Sequence, residues 1–385
     1  MIYLDNAAST PVHQKVIDEM MPYFKEQYGN PSSIHKFGRT ANVALQNARK
    51  RAADLINADS KEILLTSGGT ESNNTAIYGI TFQNKGKHII TSSIEHDAIL
   101  EPCKRLEREG YRISYLPVDR HGLVNVDDIK KEISQDTCLI TIMFANNEVG
   151  TIQPIKEISG IAHDNNIVFH TDAVQAVGKV PIDVKELGVD LLSISSHKIN
   201  GPKGVGALYL KKGIKISPLI LGGGQENGLR SGTENVASIV GFGMACKLAK
   251  ENINQNTDYF KNLTSQLITR VLLEIPETSL NGHSEKRIPN NTHFTFLGVN
   301  GEDLIIKLDE NQIAASTGSA CSVRIQKASH VLNAMGFSHE QISGSLRLTV
   351  GVTNTAEEID KTVEVLKKVV QELRAVSPYK NKYNF

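Results

Sequence analysis

The sequence predicts an α/β protein with a mostly parallel seven-stranded sheet in a large domain and a smaller α+β domain beside it. Seven short apolar runs recur between about residues 60 and 210, separated by helical patterns: EILLT, KHIITSS, YRISYLPV, CLITIMFA, NIVFHTDA, DLLSISS and VGALYL. Several of these runs are apolar almost throughout, as expected of strands that are covered on both faces. Strand–helix–strand repetition of this kind gives a mostly parallel sheet with helices on both sides.

Helical patterns mark the boundary between the two domains. The segment after Pro154 spaces its apolar residues as a helix does: Ile155, Ile158, Ile161 and Ala162. The polar stretch KENINQNTDY lies within a long predicted helix that links the domains. In the last helix, Thr355 and Glu358 have the spacing of a capping box. We expect a large domain over residues 15–255 and a small one formed by 1–14 with 256–385.

The composition argues against a nucleic-acid or membrane surface as the main partner. The 42 basic and 42 acidic residues cancel to a formal net charge of 0, and neither sign forms a long run. The longest apolar stretches, such as CLITIMF, are far too short to span a membrane. Without a leader pattern or metal-ligand spacing among the four cysteines, we expect a cytoplasmic protein with reduced thiols and no metal site.

Polar side chains follow the predicted strands at their carboxyl ends, where open parallel sheets bind ligands. After EILLT comes SGGTESNN, a Gly-rich turn into a helix that is suited to hold a phosphate on backbone N–H groups. The residues after the other strands are Glu95 and His96, then Asn146, Asn147 and Glu148, then Asp172 and Gln175, and finally Ser195, Ser196, His197 and Lys198. Together they supply a phosphate cradle, a flat imidazole, an acid and an amine around one crevice. That set matches pyridoxal phosphate, which needs a Schiff-base lysine, an aspartate at the ring nitrogen and a phosphate site.

Each of these features alone has an ordinary structural explanation. A Gly-Gly turn is usually only a turn, a strand-end aspartate often caps a helix, and a strand-end lysine is usually a solvated charge. The sequence motifs of other ligand-binding sites are absent, because the chain has no P-loop pattern, no HExxH and no Rossmann GxGxxG after its first strand.

Cys321 differs from the other three cysteines in its surroundings. It lies among small residues in ASTGSACSVRIQ, whereas Cys103, Cys138 and Cys246 lie in apolar or helical patterns typical of buried thiols. A lone loop thiol combined with the strand-end Lys198 indicates carbonyl chemistry on an amino acid, followed by attack of sulfur.

Long motifs run in order through nearly the whole chain: YLDNAASTP, GNPSSIH, TSGGTESNN, NNEVG, HTDAVQAVGK, SSHKINGPKG, GGGQENGLRSGTEN, STGSACS and SLRLTVG. In this order they resemble the cysteine desulfurases of the NifS/IscS type. These enzymes belong to the class V aminotransferase-like branch of fold-type I pyridoxal-phosphate transferases, so the resemblance implies that fold and pyridoxal 5'-phosphate as cofactor.

The resemblance also implies a role for each residue around the cofactor ring. Lys198 would be the Schiff-base lysine and proton shuttle, and Asp172 would pair with the pyridinium nitrogen. Gln175 would hydrogen-bond the ring oxygen, while His96 would stack on the ring and help to transfer protons.

Further roles concern the phosphate, the substrate and the thiol. The resemblance implies that Thr70, Ser195 and His197 hold the cofactor phosphate, joined by Thr233 from a second subunit. Gly69 and Ser196 are also expected to bind the cofactor. Asn147 would contact both cofactor and substrate, and Arg347 would bind the substrate carboxylate through a bidentate fork. Cys321 would be the nucleophile that takes the sulfur.

The implied reaction converts L-cysteine into L-alanine and a persulfide on Cys321, in a homodimer. The sulfur would pass to an iron–sulfur scaffold, with which Cys321 could transiently share a cluster, or to an acceptor for tRNA or cofactor thiolation. Two alternatives stay open: another enzyme of this branch, such as a selenocysteine lyase or an aminotransferase, and a non-catalytic sulfur-carrier or assembly subunit.

The roles of two further sequence features stay open: the basic residues after Cys321 and the run at the end of the sequence. Arg324 and Lys327 follow the cysteine, and they are either ordinary solvated charges or groups that lower the thiol pKa or meet an acidic sulfur acceptor. The run SPYKNKYNF at the end of the sequence is shorter than the tail of relatives that bind a scaffold, which leaves scaffold docking open.

Overall fold

The computed structural model describes residues 1–318, 328–378 and 382–383. Its strands are β1 Ile2–Tyr3, β2 Ile63–Thr66, β3 His88–Ser92, β4 Arg112–Leu116, β5 Thr137–Thr141, β6 Val168–Asp172, β7 Leu191–Ser195, β8 Gly206–Leu210, β9 Thr278–Leu280, β10 Asn291–Phe296, β11 Ile313–Ala314 and β12 Ser345–Thr349. Its α-helices are α1 Gln14–Met20, α2 Pro22–Lys25, α3 Lys36–Leu55, α4 Gly69–Gln83, α5 Asp97–Arg108, α6 Val126–Glu132, α7 Ile155–Asp164, α8 Val184–Leu187, α9 Val236–Glu274, α10 Gly301–Glu310, α11 His330–Ala334, α12 His339–Ser343 and α13 Ala356–Val376.

A sheet of seven strands forms the centre of the molecule, in the order β2-β8-β7-β6-β5-β3-β4. The five strands from β7 to β4 run parallel, and β8 is antiparallel to both β7 and β2. Every residue of β3, β5 and β7 is buried, which explains why these strands read as continuous apolar runs. The predicted mostly parallel, seven-stranded sheet is therefore confirmed. Its parallel register brings the segments after β5, β6 and β7 to one edge.

A sheet of three strands and a separate hydrophobic cluster lie mainly in the last third of the chain. Strands β12, β10 and β9 make an antiparallel sheet, and β1 pairs with β11. The cluster on this sheet joins the beginning of the chain to its last third through Leu4, Phe260, Phe294, Leu346 and Leu366. The proposed domain limits themselves stay a prediction.

Helix α9 contributes to this hydrophobic cluster and to a second one that packs against the large sheet. It has 39 residues, or about 58 Å at 1.5 Å per residue, with Phe242 in the cluster against the large sheet and Phe260 in the other. This is the long linking helix that the sequence predicts. No helix in the described part of the chain combines the length and apolarity needed to cross a membrane.

Two shorter helix predictions are also confirmed. Helix α7 buries Ile155, Ile158, Ile161 and Ala162. Helix α13 begins with the expected capping box: Thr355 Oγ1 accepts from the Glu358 backbone N–H at 3.3 Å, and Glu358 Oε2 accepts from the Thr355 N–H at 3.3 Å.

Candidate active site

A cavity of about 270 Å³ opens at the carboxyl ends of the parallel strands. It is lined by residues from every strand end that the sequence analysis singled out and by the N-terminal segment: Ala8, Gly69, Thr70, Asn73, His96, Ala98, Met143, Ala145, Asn147, Asp172, Val174, Gln175, Ser195, His197 and Lys198. A second depression of about 350 Å³ continues it at the start of α4, where it shares Ala8, Gly69, Thr70, Ser195 and His197. The two depressions therefore adjoin each other at the start of α4.

Glycines open the phosphate end of the cavity. Gly68 precedes α4 with φ +149°, a backbone conformation that L-residues with a side chain rarely adopt. A Cβ on Gly69 would lie 2.8 Å from Val174 Cγ2, so a side chain at this position would require Val174 to shift. The first N–H groups of α4, with Thr70 beside them, face an open depression and favour an anion there.

Asp172 ends β6 with its side chain only 6% exposed. Its Oδ2 accepts from Asn73 Nδ2 at 2.7 Å, and its Oδ1 accepts from the Val174 backbone N–H at 3.0 Å. These two donors fix the carboxyl group and stabilise its charge inside the cavity wall. Asn73 was not among the expected site residues, although it stands in the SGGTESNN motif one turn into α4.

Two further expected residues lie on either side of the same cavity. His96 precedes α5 as its N-cap, and its Nδ1 accepts from the Ala98 N–H at 3.0 Å, so a neutral ring carries its proton on Nε2. Gln175 donates from Nε2 to the Ala7 carbonyl at 3.1 Å, which ties the segment after β6 to the N-terminal segment.

Lys198 lies in a 3₁₀ turn, Ser196–Lys198, directly after β7. Its ammonium group donates to the carbonyl oxygens of Ala7 and, at 2.9 Å, of Ala8. Its own carbonyl accepts from Lys179 Nζ at 2.7 Å. Lys179 is 7% exposed, and burial, with the charge of Lys198 as a second cause, lowers its pKa to about 8. The amine of Lys179 thus holds the backbone of Lys198 in place.

His197 is held as a neutral imidazole. Burial, followed by the charges of Lys198 and Lys203, lowers its pKa to about 4, and its Nδ1 lies 3.2 Å from Ser9 Oγ. It lines the cavity together with Ser195, whereas Ser196 does not. Instead, the buried Ser196 Oγ faces Gly201, where a Cβ would lie 2.0 Å from it.

Arg347, on β12, is 2% exposed and lies outside the cavity lining. Its Nη1 donates to the carbonyls of Asn147 at 2.8 Å and Gly318 at 3.2 Å, and its Nη2 forms an ion pair with Asp5 Oδ1 at 2.9 Å. Its Nε is buried and has no hydrogen-bond partner among the described residues. A buried N–H without a partner is costly, so this guanidinium retains the capacity to bind an anion.

Two ion pairs anchor the segment that carries Thr233. Arg230 donates to Glu71 at 2.8 and 3.1 Å, and Arg49 donates to Glu226 at 2.7 and 2.6 Å. Burial alone would raise the pKa of Glu71, but the hydrogen bonds from Arg230 and Ser67 lower it. Thr233 is exposed and does not line the cavity of its own chain.

Three of the four thiols are buried, as the sequence suggests. Cys103, Cys138 and Cys246 are free and buried. Burial raises the pKa of Cys103 to about 12 and that of Cys138 to about 11, and it also raises that of Cys246, so none of them is a ready nucleophile. Cys321, Arg324 and Lys327 lie outside the described residues. Among the residues that the structure does describe, no group of three or more His, Cys, Asp or Glu residues could hold a metal ion.

Comparison with known proteins identifies the family. The model of the aminotransferase class-V family matches residues 2–362. The cysteine desulfurase IscS of Methanosarcina thermophila is 54% identical over 379 residues, which are 98% of this chain and 94% of that protein. The cysteine desulfurase IscS of Dictyoglomus turgidum is 52% identical over 384 residues, 99% of this chain and 98% of that protein.

Solved structures agree with these relatives. A NifS-like protein superposes with a TM-score of 0.91 at 37% identity, covering 96% of this chain and 99% of its own. SspA in complex with cysteine superposes with a TM-score of 0.81 at 36% identity, covering 91% of this chain and 99% of its own. The chain belongs to the class-V aminotransferase family and has its fold-type I architecture. Within that family it stands among the cysteine desulfurases, as its motifs suggest.

Proposed function

We propose that this protein is a pyridoxal-phosphate-dependent cysteine desulfurase, which converts L-cysteine into L-alanine and a persulfide on Cys321. The observation that carries this proposal is that neighbouring strands bring the amine of Lys198 and the carboxyl group of Asp172 to one cavity, which is also lined by the start of α4. The cysteine desulfurases among its relatives favour this chemistry over other uses of the same fold.

The residues present fit the cofactor. The start of α4 with Thr70, Ser195 and His197 offers N–H and hydroxyl donors for a phosphate, and Asp172 offers an anion for a ring nitrogen. Gln175 and His96 line the same cavity and would contact the edge and the face of the ring. When bound, pyridoxal phosphate withdraws electrons from the substrate Cα, which makes the Cα proton removable.

The chain's own residues then divide the remaining work. Arg347 and Asn147 bind the substrate carboxylate, which fixes the orientation of Cα and of the sulfur. Lys198 would hold the cofactor, and its amine would remove the Cα proton of the substrate. The Ala7 and Ala8 carbonyls accept hydrogen bonds from that amine and keep it in the cavity. The Cys321 thiolate attacks the substrate sulfur, so a sulfur–sulfur bond forms as the carbon–sulfur bond breaks. The electron pair of the broken bond stays on the carbon fragment, which takes up protons and leaves as alanine.

The overall reaction gives the direct test. Purified protein supplied with L-cysteine and a reducing thiol should release alanine and sulfide in equal amounts. An aminotransferase, the second candidate, would need a keto acid as amino acceptor and would not release sulfide. Alanine that appears only when pyruvate is added as the amino acceptor, without sulfide, would favour that candidate and would contradict the proposal.

The Asp172→Asn variant tests the electronic role of the carboxyl group. The cofactor should stay bound, because Asn73 Oδ1 has no hydrogen-bond partner and a flip of its amide can satisfy the new side chain. Turnover should fall on the order of 10²-fold, since a neutral amide no longer favours a protonated ring. Cofactor absorbance and alanine release measure the two effects. The matched control is Asp190→Asn, a buried aspartate at the opposite end of the sheet; equal activity of both variants would remove Asp172 from this role.

We also propose a homodimer with shared sites. Thr233 is exposed, yet Arg230 and Arg49 hold its segment in a fixed place beside the phosphate turn, as a donor for a neighbouring subunit would require. Sulfur then passes to an iron–sulfur scaffold or another acceptor. The buried free thiols fit a reducing compartment, and we place the reaction in the cytoplasm.

Mixed dimers test the shared site. Lys198→Ala and Thr233→Ala chains, each of low activity alone, should regain activity when they are unfolded and refolded together. One of the two sites in such a heterodimer carries neither change, because Lys198 and Thr233 come from different chains. Alanine release by the mixture, compared with each variant refolded separately, measures the gain. If no activity returns while heterodimers are present, the site does not use Thr233 of the second subunit.

A further inference from the structure

Glu148 is a buried carboxyl group that the reaction described above does not use. It lies after β5, next to Asn147, and is 2% exposed. Its backbone is fixed from two sides: its N–H donates to Asn146 Oδ1 at 2.9 Å, and its carbonyl accepts from Asn291 Nδ2 at 3.0 Å. The direction of its side chain is therefore set by the fold, and burial raises its pKa.

The side chain of Glu148 meets both described ends of the segment that carries Cys321. On one side, Ser329 Oγ donates to Glu148 Oε2 at 2.5 Å, while the same hydroxyl accepts from the Leu332 N–H at 3.1 Å and so caps α11. On the other side, a Cβ on Gly318 would lie only 3.2 Å from Glu148 Oε2. Gly318 has φ +97°, and its carbonyl accepts from Arg347, so glycine is required at this close approach.

His293 completes the cluster on the side of Gly318. It is fully buried, and its Nε2 would also lie 3.2 Å from a Cβ at residue 318. Its Nδ1 pairs with Asn281 Nδ2 at 2.9 Å, while its Nε2 has no hydrogen-bond partner among the described residues. Burial, with the charges of Arg347 and Arg287, lowers its pKa to about 3, so it presents a neutral ring to the chain at Gly318.

A second buried glutamate shows what an ordinary structural role looks like here. Glu95 Oε1 accepts from Ser92 Oγ at 2.6 Å and from the Met143 N–H at 2.9 Å, which fastens the end of β3 to the segment after β5. Ser92 belongs to the central sheet, and Met143 follows one of its strands directly. Glu148 instead takes its side-chain partner from a residue 181 positions away, at the far end of the Cys321 segment.

We propose that Glu148 is a positioning residue for Cys321. It binds the far end of the segment that carries the thiol through Ser329, and it lies close to the near end at Gly318. Its neighbour Asn147 accepts a hydrogen bond from Arg347 through its backbone carbonyl. The segment that carries the thiol and the group that binds the substrate carboxylate are thereby both positioned by the loop of Asn147 and Glu148. This inference rests on the proposed function and adds to it the residue that sets where sulfur transfer begins. Displacement of a reacting group by about 1 Å costs on the order of 10²-fold in rate, so loss of this anchor should be visible in turnover.

Two variants break the same contact from opposite sides. Glu148→Ala and Ser329→Ala should each lower kcat for alanine release by about 10- to 10²-fold, because the thiol is no longer held in register with the substrate. The KM for cysteine and the absorbance change on adding cysteine should stay near the parent values, because Arg347, Asn147 and Lys198 are intact. The double variant should be no slower than the slower single variant, since both changes remove one interaction. Ser329→Ala keeps the test informative if Glu148→Ala does not fold.

Ser338→Ala is the matched control. Ser338 caps the neighbouring helix α12 through the Gln341 N–H, as Ser329 caps α11, but the hydroxyl group of Ser338 makes no hydrogen bond to Glu148. It should keep the parent kcat. Parent-like kcat in Ser329→Ala, or losses that multiply in the double variant, would overturn the positioning role while leaving the proposed function intact. A parent protein that releases no alanine from cysteine would instead overturn the proposed function, and this inference would fall with it.

Discussion

The Lys198→Ala variant should lose alanine release almost completely. The removal of the amine takes away both the covalent attachment of the cofactor and the base at the substrate Cα, and general acid–base catalysis alone contributes about 10²- to 10⁴-fold. The phosphate end of the cavity stays intact, because its donors come from α4 and from the residues around β7. The variant should therefore bind the cofactor reversibly and lose it on dialysis.

Borohydride reduction of the parent protein locates the same amine. Reduction followed by digestion should leave the cofactor on the peptide that contains Lys198. The buried Lys179, which contacts the Lys198 carbonyl, is the informative competitor, because it is a second amine close to the site with a lowered pKa. Label on the Lys179 peptide would mean that the roles of the two lysines have been exchanged.

The Cys321→Ser variant should separate the two halves of the reaction. Cysteine should still bind and change the visible spectrum, since Arg347, Asn147 and Lys198 need no thiol. Alanine release should fall on the order of 10³-fold or more, because a serine hydroxyl is a far weaker nucleophile toward sulfur near neutral pH. Stopped-flow absorbance and alanine quantification measure the two halves separately.

Cys103→Ala is the control for that experiment. Cys103 is fully buried in α5 and burial raises the pKa of its thiol to about 12, so its loss should leave the rate of alanine release unchanged. Sustained alanine release by Cys321→Ser would require another nucleophile and would refute the assignment of the loop thiol.

Most of the cavity-lining residues could be predicted from two features of the sequence: the apolar runs that form strands and the polar residues that follow them. The seven apolar runs are the seven strands of the sheet, and parallel strands deliver the residues that follow them to one edge. His96, Asn147, Asp172, Gln175, Ser195, His197 and Lys198 meet in one cavity for that reason. No residue outside the strand pattern was needed to predict this convergence.

The contacts that sequence reasoning missed are made by atoms or orientations without a sequence signal. Ala7 and Ala8 hold the Lys198 amine through backbone carbonyls, which every residue type has. The side chain of Ser196 follows a strand as Ser195 does, but the turn after β7 directs it toward Gly201 instead of the cavity. Asp5 pairs with Arg347 across 342 positions of the chain, a contact that only the packing of β12 against the N-terminal segment creates.

The persulfide on Cys321 is the central claim, and mass spectrometry after a single turnover tests it most directly. The holoenzyme should be mixed with less than one equivalent of L-cysteine, without reductant, then digested and analysed for all four cysteine-containing peptides. We expect one additional sulfur on the Cys321 peptide, in proportion to the alanine released, and none on the peptides of Cys103, Cys138 and Cys246. Alanine released without sulfur on Cys321, or sulfur on one of the other three thiols, would contradict the mechanism.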